Sequence, residues 1–228
     1  MIVDTSQYVL KNLHTGKHDD AVLYHTITDH HINHVEDHWN PLLHKHLDIL
    51  KKKYGFGSTD FDHIAFFKEL GELNIQDAKW DWKEKRNILS NTFGYCGCAL
   101  ICNGLTQGLG YFEILQKHKS QISTDIVLSI IYVEFIATAP WNRDKIERQL
   151  YAGVGLTMIY HAINISFGEG LDGRVGLHSL PQSNDFYSIK CGMTDFGPDK
   201  SKDNMNYFEM SNEQAIIFLL KVNESIPI

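Results

Sequence analysis

Gly153 and Gly155, separated by one valine, stand where a polar stretch ends and helically spaced apolar residues resume at Leu156. Glycine lets a backbone approach a ligand closely, and the first amides of a helix are unpaired at the positive end of its dipole. Such a turn can hold a phosphate or pyrophosphate, although a glycine connection without a ligand leaves the same two residues. Histidines form a second group, with ten of the thirteen in the first 63 residues. His30, His34 and His38 recur every four residues, a helical face on which the His34/His38 pair can chelate zinc or nickel. The glutamate of an H-E-x-x-H site is absent, and an acceptor-site role for these histidines stays open beside metal binding. We expect a solvated polar face and no metal. Cys96, Cys98 and Cys102 are spaced C-x-C rather than C-x-x-C, with Cys191 far away, which reads as reduced cysteines packed as small hydrophobes.

The residues around the glycine turn form a longer pattern. Glu134-Phe-Ile136-Ala137-Thr138-Ala-Pro140 ends a β-branched run, Gly153-Val154-Gly155 follows, and Phe186-Tyr187-Ser-Ile-Lys-Cys-Gly192-Met193 closes the segment. Together these resemble the Gcn5-related N-acetyltransferase (GNAT) superfamily over about residues 93–210. There a strand of type E-x-L-x-V-x-P leads to a Q/R-x-x-G-x-G/A loop and helix, and a later helix ends in Tyr-x-x-x-Gly-Phe. Three positions depart from that pattern. Leu150 occupies the Gln/Arg position, residues 143–152 lengthen the path from proline to glycine, and Leu180 stands where asparagine often touches the cofactor.

The resemblance implies acetyl-CoA as acyl donor and direct acetyl transfer to an amine, the acceptor being a small molecule or peptide. It implies cofactor contacts at Ile136, Ala137, Thr138, Gly153, Val154, Gly155, Leu156 and Thr157, with an oxyanion donor among the amides of residues 136–138. That chemistry needs a group to take the amine's proton and an acid for the departing thiolate. Glu134 is the first candidate base and His178 the second; Tyr187 matches the family tyrosine that hydrogen-bonds the thiol sulfur. Each has a plain alternative: a surface carboxylate for Glu134, a hydrogen-bonded core histidine for His178, and a packed aromatic for Tyr187. A relative that binds acyl-CoA without catalysis also remains open.

These residues need elements to position them. Residues 7–13 alternate weakly as a first strand, and residues 19–37 read as a helix. Asn40-Pro41 caps a second helix with a Leu42, Leu43, His46, Leu47 and Leu50 stripe, closed by Lys51 to Lys53. Two more helices are expected over 61–70 and 77–89, making the N-terminal third (1–92) mostly helical. Residues 94–102 and 107–114 flank Asn103-Gly104, a hairpin signal. A central strand over 126–138 and a strand over 173–180, joined by the 156–167 helix, should pair in parallel. Residues 181–190 read as a short helix, 197–204 as a polar loop and 206–210 as a strand. Ser211 to Gln214 reads as a capping box opening a last helix over 215–221. The expected fold is α/β, a mixed and mainly antiparallel sheet flanked by helices, forming one domain whose cofactor-binding core spans 93–228.

Composition narrows the partners. A chain of 228 residues with 43% hydrophobic content can bury a substantial core. A net charge of −7 argues against nucleic acid. No run is long and apolar enough to span a bilayer and the N-terminus lacks a signal pattern, so we expect a cytoplasmic protein with no membrane partner. A homodimer stays open.

Overall fold

The structure, a computed structural model, describes residues 4–123 and 125–225. Within them nine strands form one sheet in the order β6-β1-β2-β3-β4-β5-β7-β9-β8. The sheet opens with β1 (Thr5–Asn12) and β2 (His18–Tyr24), an antiparallel pair whose Tyr8, Leu10, Ala21 and Leu23 are buried on one face. This corrects the expected helix over 19–37 and the helical N-terminal third, since strands begin the chain. Alternating burial in 18–24 places Ala21 and Leu23 beside Cys102 and Leu100 of the next strand, and that pairing outweighs the weak helical spacing.

Helix begins only at Thr28, whose backbone N–H donates to Nδ1 of His31 at 3.1 Å, a histidine in the Glu/Gln place of a capping box. From there α1 (Asp29–His34) passes through a π turn (Val35–Trp39) into α2 (Asn40–Lys53) without a break, every junction residue staying right-handed helical. The sequence places a helix start at Asn40-Pro41; instead the chain widens just before Pro41, which has no N–H to donate. Two shorter helices follow, α3 (His63–Glu72) and α4 (Trp82–Leu89), each capped by an aspartate, Asp62 and Asp81.

Then β3 (Tyr95–Cys102) and β4 (Leu105–Glu113) turn at Asn103-Gly104, both with positive φ, as the hairpin signal requires. Next come β5 (Ile131–Thr138), β6 (Tyr151–Ala152), α5 (Val154–Gly168) and β7 (Val175–Ser179). The parallel β5–β7 pair expected from the sequence is present. The residues expected as a polar loop over 197–204 begin instead inside an edge strand, β8 (Thr194–Asp199), which pairs with β9 (Met205–Met210). In the last helix, α6 (Asn212–Ser225), the capping box is realised: Ser211 N–H donates to Gln214 Oε1 at 2.8 Å, and Gln214 N–H to Ser211 Oγ at 3.2 Å.

Two cores lie on opposite faces of this sheet. Cys98, Leu100 and Phe112 pack with Met158, Ile159 and Ile163 of α5 and Phe218 of α6. Their neighbours Ala99 and Tyr111 belong to the cluster beneath α1–α4, with Trp39, Leu47 and Phe66. Alternation along β3 and β4 therefore separates the two layers of helices. The cysteines are free, and burial pushes the Cys96 thiol up to about 11, so they pack as small hydrophobes.

Candidate active site

The site begins with a break in the sheet. On β5, Val133 lies opposite Phe112 of β4 and Phe135 opposite Tyr111, so Glu134 is an extra residue with no partner on β4. A bulge bends its strand and re-aims a side chain. On the other side, pairing between β5 and β7 stops at Val133–Leu177. Beyond Val133 the two parallel strands part, and the β5 edge from Glu134 to Thr138 faces a gap rather than a neighbouring strand.

A cavity of about 510 Å³ fills that gap, lined by Ile136, Ala137 and Thr138 from β5 and Gly153 to Leu156 from the start of α5. Its size falls within the range of small-molecule sites. Gly153 is the N-cap of α5 at φ 91°, a left-handed conformation that favours glycine. Gly155 is small for another reason: a Cβ there would lie 3.0 Å from Cζ of Phe186, so the aromatic ring closes over the helix start. Seven of the eight expected cofactor contacts thus line the cavity. Thr157 does not; it is 1% exposed on the inner side of α5, and its hydroxyl donates to the Gly153 carbonyl at 3.1 Å. That is a correction to the expectation, since helical rotation turns residue 157 toward the sheet.

The lengthened loop is a brace, which the sequence alone does not reveal. Arg143, 5% exposed, spends all five N–H groups inside the protein. Two go to the Asp77 carboxylate (2.6 and 2.7 Å), two to the Thr138 carbonyl (3.1 and 2.7 Å) and one to the Asn74 carbonyl (2.8 Å). The end of β5 is thereby tied to the segment before α4. Gln107 Oε1 accepts from Trp141 and Asn142, and Asn142 Oδ1 accepts from the Tyr151 amide at 3.0 Å. The loop's return then pairs as β6 with β1, and Leu13 N–H donates to the Leu150 carbonyl. The inserted residues so carry the glycine turn on the sheet edge, and Leu150 is part of that edge.

Tyr187 reaches the cavity from the segment after β7, where one more residue separates the tyrosine from Gly192 than in the Tyr-x-x-x-Gly pattern. The backbone absorbs the extra residue as a π turn over Phe186–Lys190, with Cys191 N–H donating to the Phe186 carbonyl at 3.0 Å. Tyr187 is 8% exposed, packs against Phe186 and Phe208, and has no hydrogen-bond partner for its hydroxyl among the described residues. Burial raises its pKa, keeping the phenol protonated.

Tyr187, Ile136, Leu180 and Ser183 also line a second chamber of about 150 Å³. Glu134 and His178 both face it. The Glu134 carboxyl is raised above its ordinary value, first by burial, against the opposing pull of Lys202 and Lys85. His178 is held at both nitrogens: Nδ1 lies 2.7 Å from the Tyr132 hydroxyl and Nε2 3.1 Å from Asp199 Oδ2. With Tyr132 donating to Nδ1, the Nε2 proton goes to Asp199, and desolvation keeps the ring neutral against that carboxylate's pull. Among the described residues Glu134 is thus half-buried with no hydrogen-bond partner for its carboxyl, while both nitrogens of His178 are engaged.

The histidine face lies elsewhere. His30 and His34 rings sit 4.2 Å apart, His34 and His38 6.0 Å apart, and His34 Nδ1 lies 3.1 Å from Thr106 Oγ1. Among the described residues no group of three or more His, Cys, Asp or Glu side chains is gathered to hold a metal, and no helix is long and apolar enough to cross a membrane.

No protein-family model and no curated protein matches the chain. Solved structures do. The GNAT domain of S. lividans PAT superposes with a TM-score of 0.50 at 13% identity, over 90% of this chain and 96% of that one. The ribosomal-protein-S18-alanine N-acetyltransferase of Escherichia coli gives a TM-score of 0.37 at 14% identity, over 58% and 77%. A candidate streptothricin acetyltransferase from Bacillus anthracis, solved with acetyl coenzyme A, gives 0.37 at 17%, over 54% and 64%. The chain has the GNAT fold.

Proposed function

We propose that the chain is an acetyltransferase that takes its acetyl group from acetyl-CoA and passes it to an amine. One observation carries this reading: the gap opened where β5 and β7 part receives both the unpaired β5 edge and the glycine start of α5 in a single cavity. An extended pantetheine-like arm fits an edge that lacks a strand partner, because its amides can take the place of a neighbouring strand's. A pyrophosphate fits the start of α5, where unpaired amides and the dipole favour negative charge. Ile136, Ala137 and Thr138 would hold the arm, and Gly153, Val154, Gly155 and Leu156 the phosphates. Acetyl-CoA supplies the activated acetyl group.

The chain's own residues divide the remaining work. Glu134 Oε takes the proton from the acceptor's ammonium, a role that its raised pKa suits because a base works best near the operating pH. The Tyr187 hydroxyl, protonated and without a partner among the described residues, donates where negative charge develops on sulfur. The Tyr132–His178–Asp199 chain fixes the wall of the chamber. A thiol-release assay with acetyl-CoA and a panel of amines tests the reading. Release that depends on amine and is lost in both Glu134→Gln and Tyr187→Phe is expected; turnover equal to wild type in both variants would refute these roles.

A further inference from the structure

The chamber beside Tyr187 carries charges of both signs. Glu134 enters it from the bulge, and Lys202 from the turn between β8 and β9. Most of the remaining wall is apolar, including Trp80, Phe135, Leu177 and Met205. The Lys202 ammonium lies 5.9 Å from the centre of the Tyr132 ring. Lys85 holds a second ammonium nearby, 3.7 Å from the centre of Phe135 and 5.2 Å from that of Trp80. Both cations act on Glu134, Lys202 the more strongly. Behind the wall, Asp199 is engaged by His178, Glu113 opposes the two cations at Glu134, and His118 stacks on Tyr132 at 4.0 Å.

This balance of charge discriminates among amines. A bare alkylammonium gains Glu134 but meets the Lys202 ammonium, with Lys85 behind the Trp80 and Phe135 wall, and brings no anion of its own into a partly dry space where repulsion is weakly screened. A plain anion meets Glu134. A small zwitterion satisfies both signs at once, and about 150 Å³ suits one amino acid rather than a folded peptide or a multi-ring sugar.

We propose that the acceptor is a free α-amino acid with an apolar side chain, its ammonium on Glu134, its carboxylate on Lys202 and its side chain against Trp80, Phe135 and Met205. This rests on the acetyltransferase reading above. The amino acid's nitrogen bonds to the thioester carbonyl carbon as the C–S bond breaks; one amine proton passes to Glu134 and a second ends on sulfur, giving an N-acetylamino acid and free thiol.

The test is calorimetric, with CoA titrated first into wild-type protein and then an acceptor probe into the CoA complex. The probes are L-leucine, L-methionine and L-phenylalanine, each beside its methyl ester and its decarboxylated amine. At least one amino acid is expected to bind about tenfold or more tightly than both analogues, the scale of a hydrogen bond to a charged group. Lys202→Gln should erase that preference while leaving CoA binding unchanged. Equal binding of amino acid and amine, no binding by any of the three amino acids, or an undiminished preference in Lys202→Gln would each overturn the proposal. Absence of CoA binding in the first titration would instead overturn the acetyltransferase reading, so the two failures are distinct.

Discussion

Tyr187 is packed by Phe186 and Phe208 on its ring and left without a partner at its hydroxyl among the described residues, so Tyr187→Phe removes a donor while keeping the shape of the wall. A donor that acts only as charge develops on sulfur is worth about 2 to 4 kcal/mol, roughly thirtyfold to a thousandfold in rate. The loss should appear in single-turnover kcat with acetyl-CoA affinity unchanged. An unchanged single-turnover rate would return Tyr187 to the role of a packed aromatic. Glu134 gives a pH signature. Its folded pKa is raised, so the active carboxylate form is lost at a pH above the ordinary carboxylate range as the solution is acidified. The pH–rate profile should therefore carry a limb rising with pH, and Glu134→Gln should remove the limb and lower the rate about 10²- to 10⁴-fold. A limb that persists in the variant would assign it to another group. The sequence singles out both residues through the pattern around them. The bulge that aims Glu134 was not legible there, because it depends on which β4 residues face β5, and pairing across a sheet is invisible to local spacing.

Among the elements, the loop from β5 to α5 carries the most structure that the sequence hid. Its length is visible as the ten residues 143–152, but length alone does not disclose that Arg143 ties Thr138 to Asp77 or that Tyr151 and Ala152 pair with β1. Those contacts join residues far apart in the chain. Arg143→Met leaves the Asp77 carboxylate buried and unpaired, and removal of one partner from such a pair costs about 3 to 5 kcal/mol. The expected result is a urea midpoint well below wild type, recovered in part in the Arg143→Met/Asp77→Leu double variant, which still leaves the Thr138 and Asn74 carbonyls without their Arg143 donors. Additive losses in a double-mutant cycle would show that the two residues do not act as a unit. The first half of the helix over 19–37 failed for the same reason, while residues 29–37 are helical: Ala21 and Leu23 suit either element until β3 is present to pair with them. The glycine turn, the Asn103-Gly104 hairpin and the final capping box were legible because each is decided by residues within a few positions of one another.

The whole molecule places the gap of one sheet between two helical layers, and two buried histidines in those layers make its stability depend on pH. His31 and His161 are both pulled down to about 4, first by burial. Below an unfolded value near 6.5 the unfolded chain takes up protons that the folded chain refuses, so stability falls between about 6.5 and 4 and is not regained on further acidification. Urea midpoints should drop across that window, and His31→Gln, which keeps a capping-box side chain, should flatten the drop. A slope unchanged in that variant would place the titration elsewhere. At the same scale the central claim is that the opened sheet is an acetyl-CoA site, and titration of acetyl-CoA into the purified protein by calorimetry tests it most directly. One saturable site is predicted, with stabilisation of about 2.7 kcal/mol at a hundredfold excess of ligand over Kd. No binding heat and no shift in melting temperature at millimolar acetyl-CoA would contradict the account.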